Sequence, residues 1–320
     1  MKTFHLIINL LCIKKDILAT ITYFNLFDYP LKKFEIFRFL GTNEPLSSFD
    51  EALNCLVAES VVYRVGEFYS IQNNFSLSDR RIRGNSKATE MLQTARKIAG
   101  FLSGFPFVKG VAVSGSLSKN YADDSADIDF FIITTANRLW IARSILHLFK
   151  KLTFLVNKQH YFCMNYFIDE ADLVIAEKNI YTATEIATLL PLQGNQVFED
   201  FFVANSWTKQ FLPNNYMRIS SAREVKSNLF KKCFEWFFNN ATGNRLDDYL
   251  MSITAESWQQ KTRYRKRNSR GIIMALHSGK HVSKPCPVNF QQKLLSVYET
   301  KLSDIIYQYE LSSRLINEMM

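Results

Sequence analysis

The stretch that most restricts what this chain can become is Val111–Thr134, VAVSGSLSKNYADDSADIDFFIIT. It reads as a short apolar strand, a Gly-Ser turn, a polar helical turn and a second strand that opens on two aspartates. Gly115 has no Cβ, so backbone N–H groups and the small hydroxyls of Ser114 and Ser116 can approach a polyphosphate closely. Leu117–Tyr121 is expected to start a helix, whose first N–H groups favour an anion. Asp127 and Asp129 stand two apart on a predicted strand and therefore share a face. Paired carboxylates repel unless a cation sits between them, and hard oxygen ligands of this kind suit Mg²⁺. Lys119, just past the turn, either neutralises phosphate charge or is a plain surface lysine.

The ordered set (Gly-Ser, a polar spacer, Asp-Ile-Asp, then Phe130-Phe131-Ile132-Ile133) resembles the signature of the polymerase-β-like nucleotidyltransferase superfamily. The resemblance implies an α+β fold, with a nucleotidyltransferase-type mixed sheet flanked by helices. It also implies a nucleoside triphosphate held by Ser114, Gly115, Ser116 and Lys119, and a two-ion Mg²⁺ site on Asp127 and Asp129. The implied activity is transfer of a nucleoside monophosphate to an acceptor the sequence does not name. The alternative is a non-catalytic protein on a degenerate version of the fold, binding nucleotide, RNA or a partner.

Members of that superfamily often carry a third carboxylate on the strand beside Asp-x-Asp. Tyr161–Ile168, YFCMNYFI, is apolar and aromatic and reads as that strand. Strict alternation puts Cys163, Asn165, Phe167 and Asp169 on one face. Asn165 then occupies the mid-strand place of the expected acid, and Asp169 at the strand end is the first acid available. Either Asp169 is the third catalytic and metal-binding carboxylate, or the site has two. Asp172 and Glu177 are weaker substitutes, and Glu170 has the opposite parity. HYFCMNYFID together with YTATEIATLLPL extends the likeness to a group of bacterial nucleotidyltransferase-domain proteins of uncertain role, over residues 80–300.

At 320 residues the chain has room for several cores, and three units are expected: 1–75, 76–195 and 196–320. In the first, helical stripes (Ile17, Ile21, Phe24; Phe34, Phe37, Leu40; Leu53, Leu56, Val57) are followed by two short strands around Gly66-Glu67. Three helices and a hairpin resemble a winged helix. The third helix, SSFDEALNCLVAES, carries Asp50, Glu51 and Glu59 and no Lys or Arg, so it would repel DNA phosphates. Packing or partner docking suits it better than sequence-specific DNA binding. Asn73–Asn85, polar and containing Arg80, Arg81 and Arg83, is expected as a linker whose arginines are solvated or reach phosphate. A helix should then open at Ser86.

Further on, Asn137 should cap a helix to Leu152, burying Trp140, Ile141, Ile145, Leu148 and Phe149 and leaving Arg138, Arg143, Lys150 and Lys151 on a solvated face. Thr182 or Thr184 should cap ATEIATLLPL, and Phe198–Trp207 and Leu229–Phe238 should be helices with packed aromatic stripes. Ser257–Lys284 holds eight Lys and Arg and no acid, with Trp258 and Tyr264 interleaved. It serves either as a strip for RNA or another polyanion, centred on Lys261–Arg270, or as a solvated helix face followed by an ordered tail. His277 and His281 could meet on one helix turn, though Gly279 lies between them. Gln291–Met320 reads as a terminal amphipathic helix.

The net charge of +9 favours an anionic ligand and says nothing of fold. The five scattered cysteines, with no C-x-x-C, suggest reduced, mostly buried thiols rather than a disulfide framework or zinc site. Phe4–Ile13 is apolar after Lys2, but it is short, lacks a small-residue cleavage site and runs on into Lys14-Lys15-Asp16. With no segment resembling a membrane span, the expected setting is the cytoplasm.

Overall fold

In the computed structural model, which describes residues 2–153, 162–215, 222–267, 271 and 273–319, the chain opens on a long helix, α1 (Lys2–Asn25). Helices α2 (Lys33–Arg38) and α3 (Leu46–Ala58) follow, then a hairpin of β1 (Tyr63–Val65) and β2 (Phe68–Ser70), with Leu31 bridged to Tyr69 beside it. Gly66 turns the hairpin at φ 65°, a left-handed geometry that glycine adopts without strain. Ile17, Ile21 and Phe24 of α1, Leu53 and Leu56 of α3, and Leu40 just beyond α2 share one buried cluster; in α2 itself Ile36 is the buried residue, and Phe34, expected on the apolar stripe, is 56% exposed. On α3, Asp50 is held by Lys33 at 2.8 Å, and Glu59 by Lys14 at 2.6 Å.

Asn73–Asn85 is not a linker. Helix α4 runs unbroken over Ser76–Leu102, opening well before Ser86. Arg81 is 2% exposed and fastens α4 to the N-terminal unit: it pairs with Glu35 at 2.8 Å and donates to the Pro30 carbonyl at 2.6 Å. Gly84 allows a close approach, since a Cβ there would meet the Tyr121 ring at 2.3 Å. Polar residues in this stretch therefore serve an interface within the chain.

The main sheet begins with β3 (Val108–Val113), the single turn α5 (Gly115–Ser118) and β4 (Asp129–Thr134). After α6 (Leu139–Thr153) come β5 (Cys163–Asp169), α7 (Ile180–Thr188), β6 (Leu190–Gln193), α8 (Asn195–Ala204) and a 3₁₀ turn, Ser206–Gln210. Helices α9 (Leu229–Phe238) and α10 (Ala241–Arg263), strands β7 (Met274–Gly279) and β8 (Val282–Pro287), and helix α11 (Phe290–Met319) complete the chain. The strand order is β6-β3-β4-β5-β8-β7, and β4–β5 is the one parallel pairing in it. The architecture is thus α+β, around a mixed and mostly antiparallel sheet. One sheet face packs Val111, Phe130, Ile132 and Phe167 against α4 and Trp140 of α6; the other packs Ala112, Phe131, Ile133 and Ile168 against α7 and α8.

Several expectations change. The basic stretch is no continuous helix face with a tail: α10 ends at Arg263, and Met274–Pro287 returns as a hairpin that adds two strands beside β5. The expected third unit therefore shares its sheet with the second. His277 lies in β7 and His281 in the following turn, so they share no helix. In α6, Arg138 and Arg143 are buried while Leu148 is 63% exposed, reversing their expected faces. Asn179, whose side chain accepts from the Thr182 N–H at 2.9 Å, caps α7 in place of either threonine. The five free cysteines are half-buried (Cys55, Cys163, Cys286) or exposed (Cys12, Cys233), not buried. No described helix is long and apolar enough to cross a membrane.

Helix α9 is inverted. Its Lys231 points inward, 5% exposed, and donates to the carbonyls of Ser103 at 3.0 Å and Val108 at 2.6 Å. Burial lowers its pKa to about 8. An unfolded lysine binds its proton up to pH ~10.4, so between pH 8 and that value the unfolded state holds more protons. Stability should therefore rise with pH across this window. Urea unfolding of the parent protein against Lys231→Met, at pH 8 and pH 10, should show that rise in the parent alone.

Candidate functional site

The Gly-Ser turn meets Asp129 because β3 and β4 are antiparallel neighbours, with Val113 opposite Phe130; β4 opens at Asp129, so Asp127 lies just before the strand and not on one of its faces as expected. One step beyond, the Ser114 N–H donates to the Asp129 carbonyl at 2.9 Å. Gly115 then takes φ 69°, and a Cβ there would meet Asp129 Oδ2 at 2.9 Å. Turn and carboxylate are in direct contact. Gly115→Ala is expected to cost ~1–2 kcal/mol for the left-handed backbone, read as a lower urea midpoint, and to displace the Asp129 side chain.

Asp127 and Asp129 flank Ile128, which is wholly buried, and both are themselves half-exposed. Both carboxylates act on the Cys163 thiol. Burial, reinforced first by Asp129, pushes that thiol up to about 11 and keeps it neutral. Cys163 is the register partner of Asp129 across the parallel β4–β5 pair. Leu117, 1% exposed, anchors α5 in the core, while Ser116 stays exposed. Lys119 Nζ pairs with Glu185 of α7 at 2.8 Å and donates to the Gly115 carbonyl at 3.2 Å. It acts as a brace between helix and turn.

Asp169 does not join this group. In the β4–β5 register it lies opposite Thr134, at the far end of the strand from Asp129 and roughly 16 Å away at the ordinary rise per residue. Its fully buried carboxylate accepts from the Asn137 N–H at 2.8 Å and the Ala171 N–H at 3.0 Å, with His281 Nδ1 at 2.9 Å. This is a structural knot that ties the C-terminal hairpin to the start of α6. The alternation that placed Asp169 beside Cys163 fails because β5 bulges: Phe130 pairs with Met164 but Phe131 pairs with Tyr166, leaving residue 165 as the extra one.

A cavity of about 420 Å³ opens against Ser114, Gly115 and Asp129. Phe131 and Tyr166 of the sheet, Tyr181 and Glu185 of α7, Glu177, and Lys284 of β8 also line it. Glu177 and Lys284 pair at 3.4 Å. Burial alone would raise the Glu177 carboxyl, but the Lys284 ammonium outweighs it and holds it below the usual carboxylate range. Burial also raises the Tyr166 and Tyr181 hydroxyls well above their ordinary values, so both stay protonated. Glu185 and Lys284 escaped the sequence reading, since only α7 and the hairpin folding over the sheet bring them here. The basic stretch divides: Lys284 faces the cavity and Lys280 pairs with Asp248 at 3.5 Å, while Lys261, which lies 5.0 Å from the Trp258 ring, stays exposed with Arg263, Arg265, Lys266 and Arg267. Arg270 is outside the described residues.

Among the described residues, no group of three or more His, Cys, Asp and Glu is arranged to hold a metal. Asp127 and Asp129 nevertheless fit Mg²⁺, which is commonly bound by one or two carboxylates and completed by substrate phosphates. Cys163, a neutral thiol, is no ligand for so hard an ion. Compared with family models, curated proteins and solved structures, the chain matches none.

Proposed function

We propose that the chain is a nucleotidyltransferase that moves a nucleoside monophosphate from a nucleoside triphosphate to an acceptor seated in the 420 Å³ cavity. The observation that carries it is the contact between Gly115 and the Asp129 carboxylate, which makes an anion-binding turn and a cation-binding pair one site at a cavity mouth. Backbone N–H groups of the turn, with Ser114 and Ser116, receive the triphosphate. Asp127 and Asp129 hold its magnesium. Bound magnesium would neutralise phosphate charge and stabilise the attacking and leaving oxygens. The acceptor oxygen or nitrogen attacks the α-phosphorus, the bond to pyrophosphate breaks, and pyrophosphate leaves with the electron pair. No third strand carboxylate waits to take the acceptor proton. Glu185, held in the cavity wall by Lys119, which also donates to the Gly115 carbonyl, is the carboxylate we assign to take that proton.

A second possibility is nucleotide binding without transfer. The neutral Cys163 opposite Asp129 and the remote Asp169 favour it. The N-terminal unit, read as a winged-helix-like docking module, fits either case: the Tyr29 hydroxyl donates to the Lys119 carbonyl, which ties the unit to the end of the turn. RNA as the acceptor would be met by the exposed basic residues between Lys261 and Arg267.

Incubation with α-labelled nucleoside triphosphates, Mg²⁺ and candidate small-molecule, protein and RNA acceptors separates these outcomes. Transfer of label with release of pyrophosphate supports the enzyme. Magnesium-dependent binding without transfer supports the second possibility, and no binding of any nucleotide removes both.

A further inference from the structure

Helix α9 packs Phe234 and Phe238 on Phe107 and is also fastened by polar groups, while its other apolar side chains turn outward. Inward, besides the two Lys231 bonds, Glu235 accepts from the Phe107 N–H at 2.7 Å and the Asn228 side chain donates to the Gly104 carbonyl at 2.9 Å. Outward, Leu229 is 81% exposed, Phe230 59%, Trp236 83% and Phe237 61%. At 100° per residue Trp236, Leu229, Cys233, Phe237 and Phe230 form one continuous arc, edged by exposed Lys232. A folded chain rarely leaves such a stripe bare without a use for it.

The surroundings say what covers it. The bonds from Lys231 and Asn228 place the start of α9 at the end of α4, where Phe101 packs on Phe149 of α6 at 5.1 Å. Phe101 and Leu148 there are also exposed. The described segments that meet at this corner, 91–122, 130–153 and 225–234, contain no Asp or Glu, and the one acid of α9, Glu235, is bonded inward to the Phe107 N–H. They do contain Arg96, Lys97, Lys151 and Lys232, all exposed. A second copy of the chain would bring the same positive charge to the contact. An anionic lipid surface brings the opposite charge, and offers the apolar boundary that Trp, Phe and Leu enter when an amphipathic helix lies in the interface.

We propose that the outward face of α9, with the basic ends of α4 and α6, docks the protein on anionic phospholipid bilayers. This is independent of the proposed catalytic site, which lies on other elements. Trp236 is a built-in reporter, because Trp140 and Trp207 are buried and Trp258 is half-buried.

The full chain is mixed with vesicles of phosphatidylcholine alone and of phosphatidylcholine with phosphatidylglycerol, and co-sedimentation and tryptophan emission are read. Binding to the phosphatidylglycerol vesicles, with a blue shift that salt weakens, is expected. Trp236→Ser should lose the shift, and Leu229→Ser with Trp236→Ser should lower partitioning by about tenfold or more. Neither side chain is buried, so circular dichroism should stay unchanged. Lys150→Glu with Lys151→Glu should weaken binding to the anionic vesicles. Absence of binding at low salt overturns the proposal. So does a vesicle-free dimer, seen by sedimentation velocity, in which Trp236 is already shielded from iodide.

Discussion

Asp129→Asn should abolish magnesium-dependent nucleotidyl transfer, with a loss of about 10³-fold or more, while leaving the thermal midpoint nearly unchanged. Removing one charge from a pair that holds a metal against a triphosphate withdraws several kcal/mol from the transition state, and each 1.36 kcal/mol is tenfold in rate. Asp129 is half-exposed, so its folded-state role is small. The matching variant at the other end of the strand should behave oppositely. Asp169→Asn should leave the chemistry intact and lower stability, because a buried carboxylate accepting two backbone N–H bonds and facing His281 loses its charge. Rates measured under saturating nucleotide, together with thermal midpoints for both variants, test the pair. If Asp169→Asn proved inactive at temperatures where it is fully folded, the assignment of Asp169 to structure alone would be wrong.

Arg81→Ala should be the most damaging single change outside the site. The guanidinium is 2% exposed and stacks 3.7 Å from the centre of the Tyr29 ring while bonding Glu35, Pro30 and Asn85. Truncation leaves a half-buried carboxylate and a carbonyl without their partner, a loss of about 3–5 kcal/mol by analogy with broken buried pairs. For a chain of this size that is a fall of roughly 5–8 °C in midpoint. Arg81→Lys should rescue little, since an ammonium cannot reproduce the planar fork or the stacking. Differential scanning calorimetry of the three proteins decides it, and a shift below ~2 °C in Arg81→Ala would show that the N-terminal unit holds by its apolar contacts alone.

What could be read from the chain in advance followed the range of each interaction. The strands on either side of the Gly-Ser turn, the stripes of α1 and α3, and the bounds of α9 are set by neighbours a few residues away and stand as expected, whereas α5 begins at Gly115 instead of Leu117, Asp127 falls before β4, and Phe34 of α2 is 56% exposed. The role of Arg81 was hidden because a charged residue in a polar stretch looks solvated until a distant Tyr29 and Glu35 are brought beneath it. Asp169 stands six residues beyond Cys163 along β5, so it sits at the far end of the strand from Asp129 whatever its face, and the extra residue in β5 changes that face as well. Likewise, the hairpin at 274–287 lacks a strong alternating pattern, as its strands are mostly half-buried. α9 shows the opposite failure: its amphipathic pattern was plain, but which side faces the molecule was not.

The late hairpin also sets an order in time. Ser114, Gly115, Asp127 and Asp129 are all made by the middle of synthesis, whereas Lys284 and the residues from Pro285 to Gln292 that close the cavity come near the end. During translation the turn and its carboxylates can pair within β3 and β4, but their cavity has no roof. The hairpin must then cross to β5, be knotted there through His281 and Asp169, and let α11 return to the first helix, where Lys15 meets Glu310 at 2.5 Å. Chain ends that closest in space are separated most in sequence make folding slow and the last step decisive. A chain stopped before residue 274 would keep the Gly-Ser turn beside Asp129 and lack the Lys284 side of the cavity.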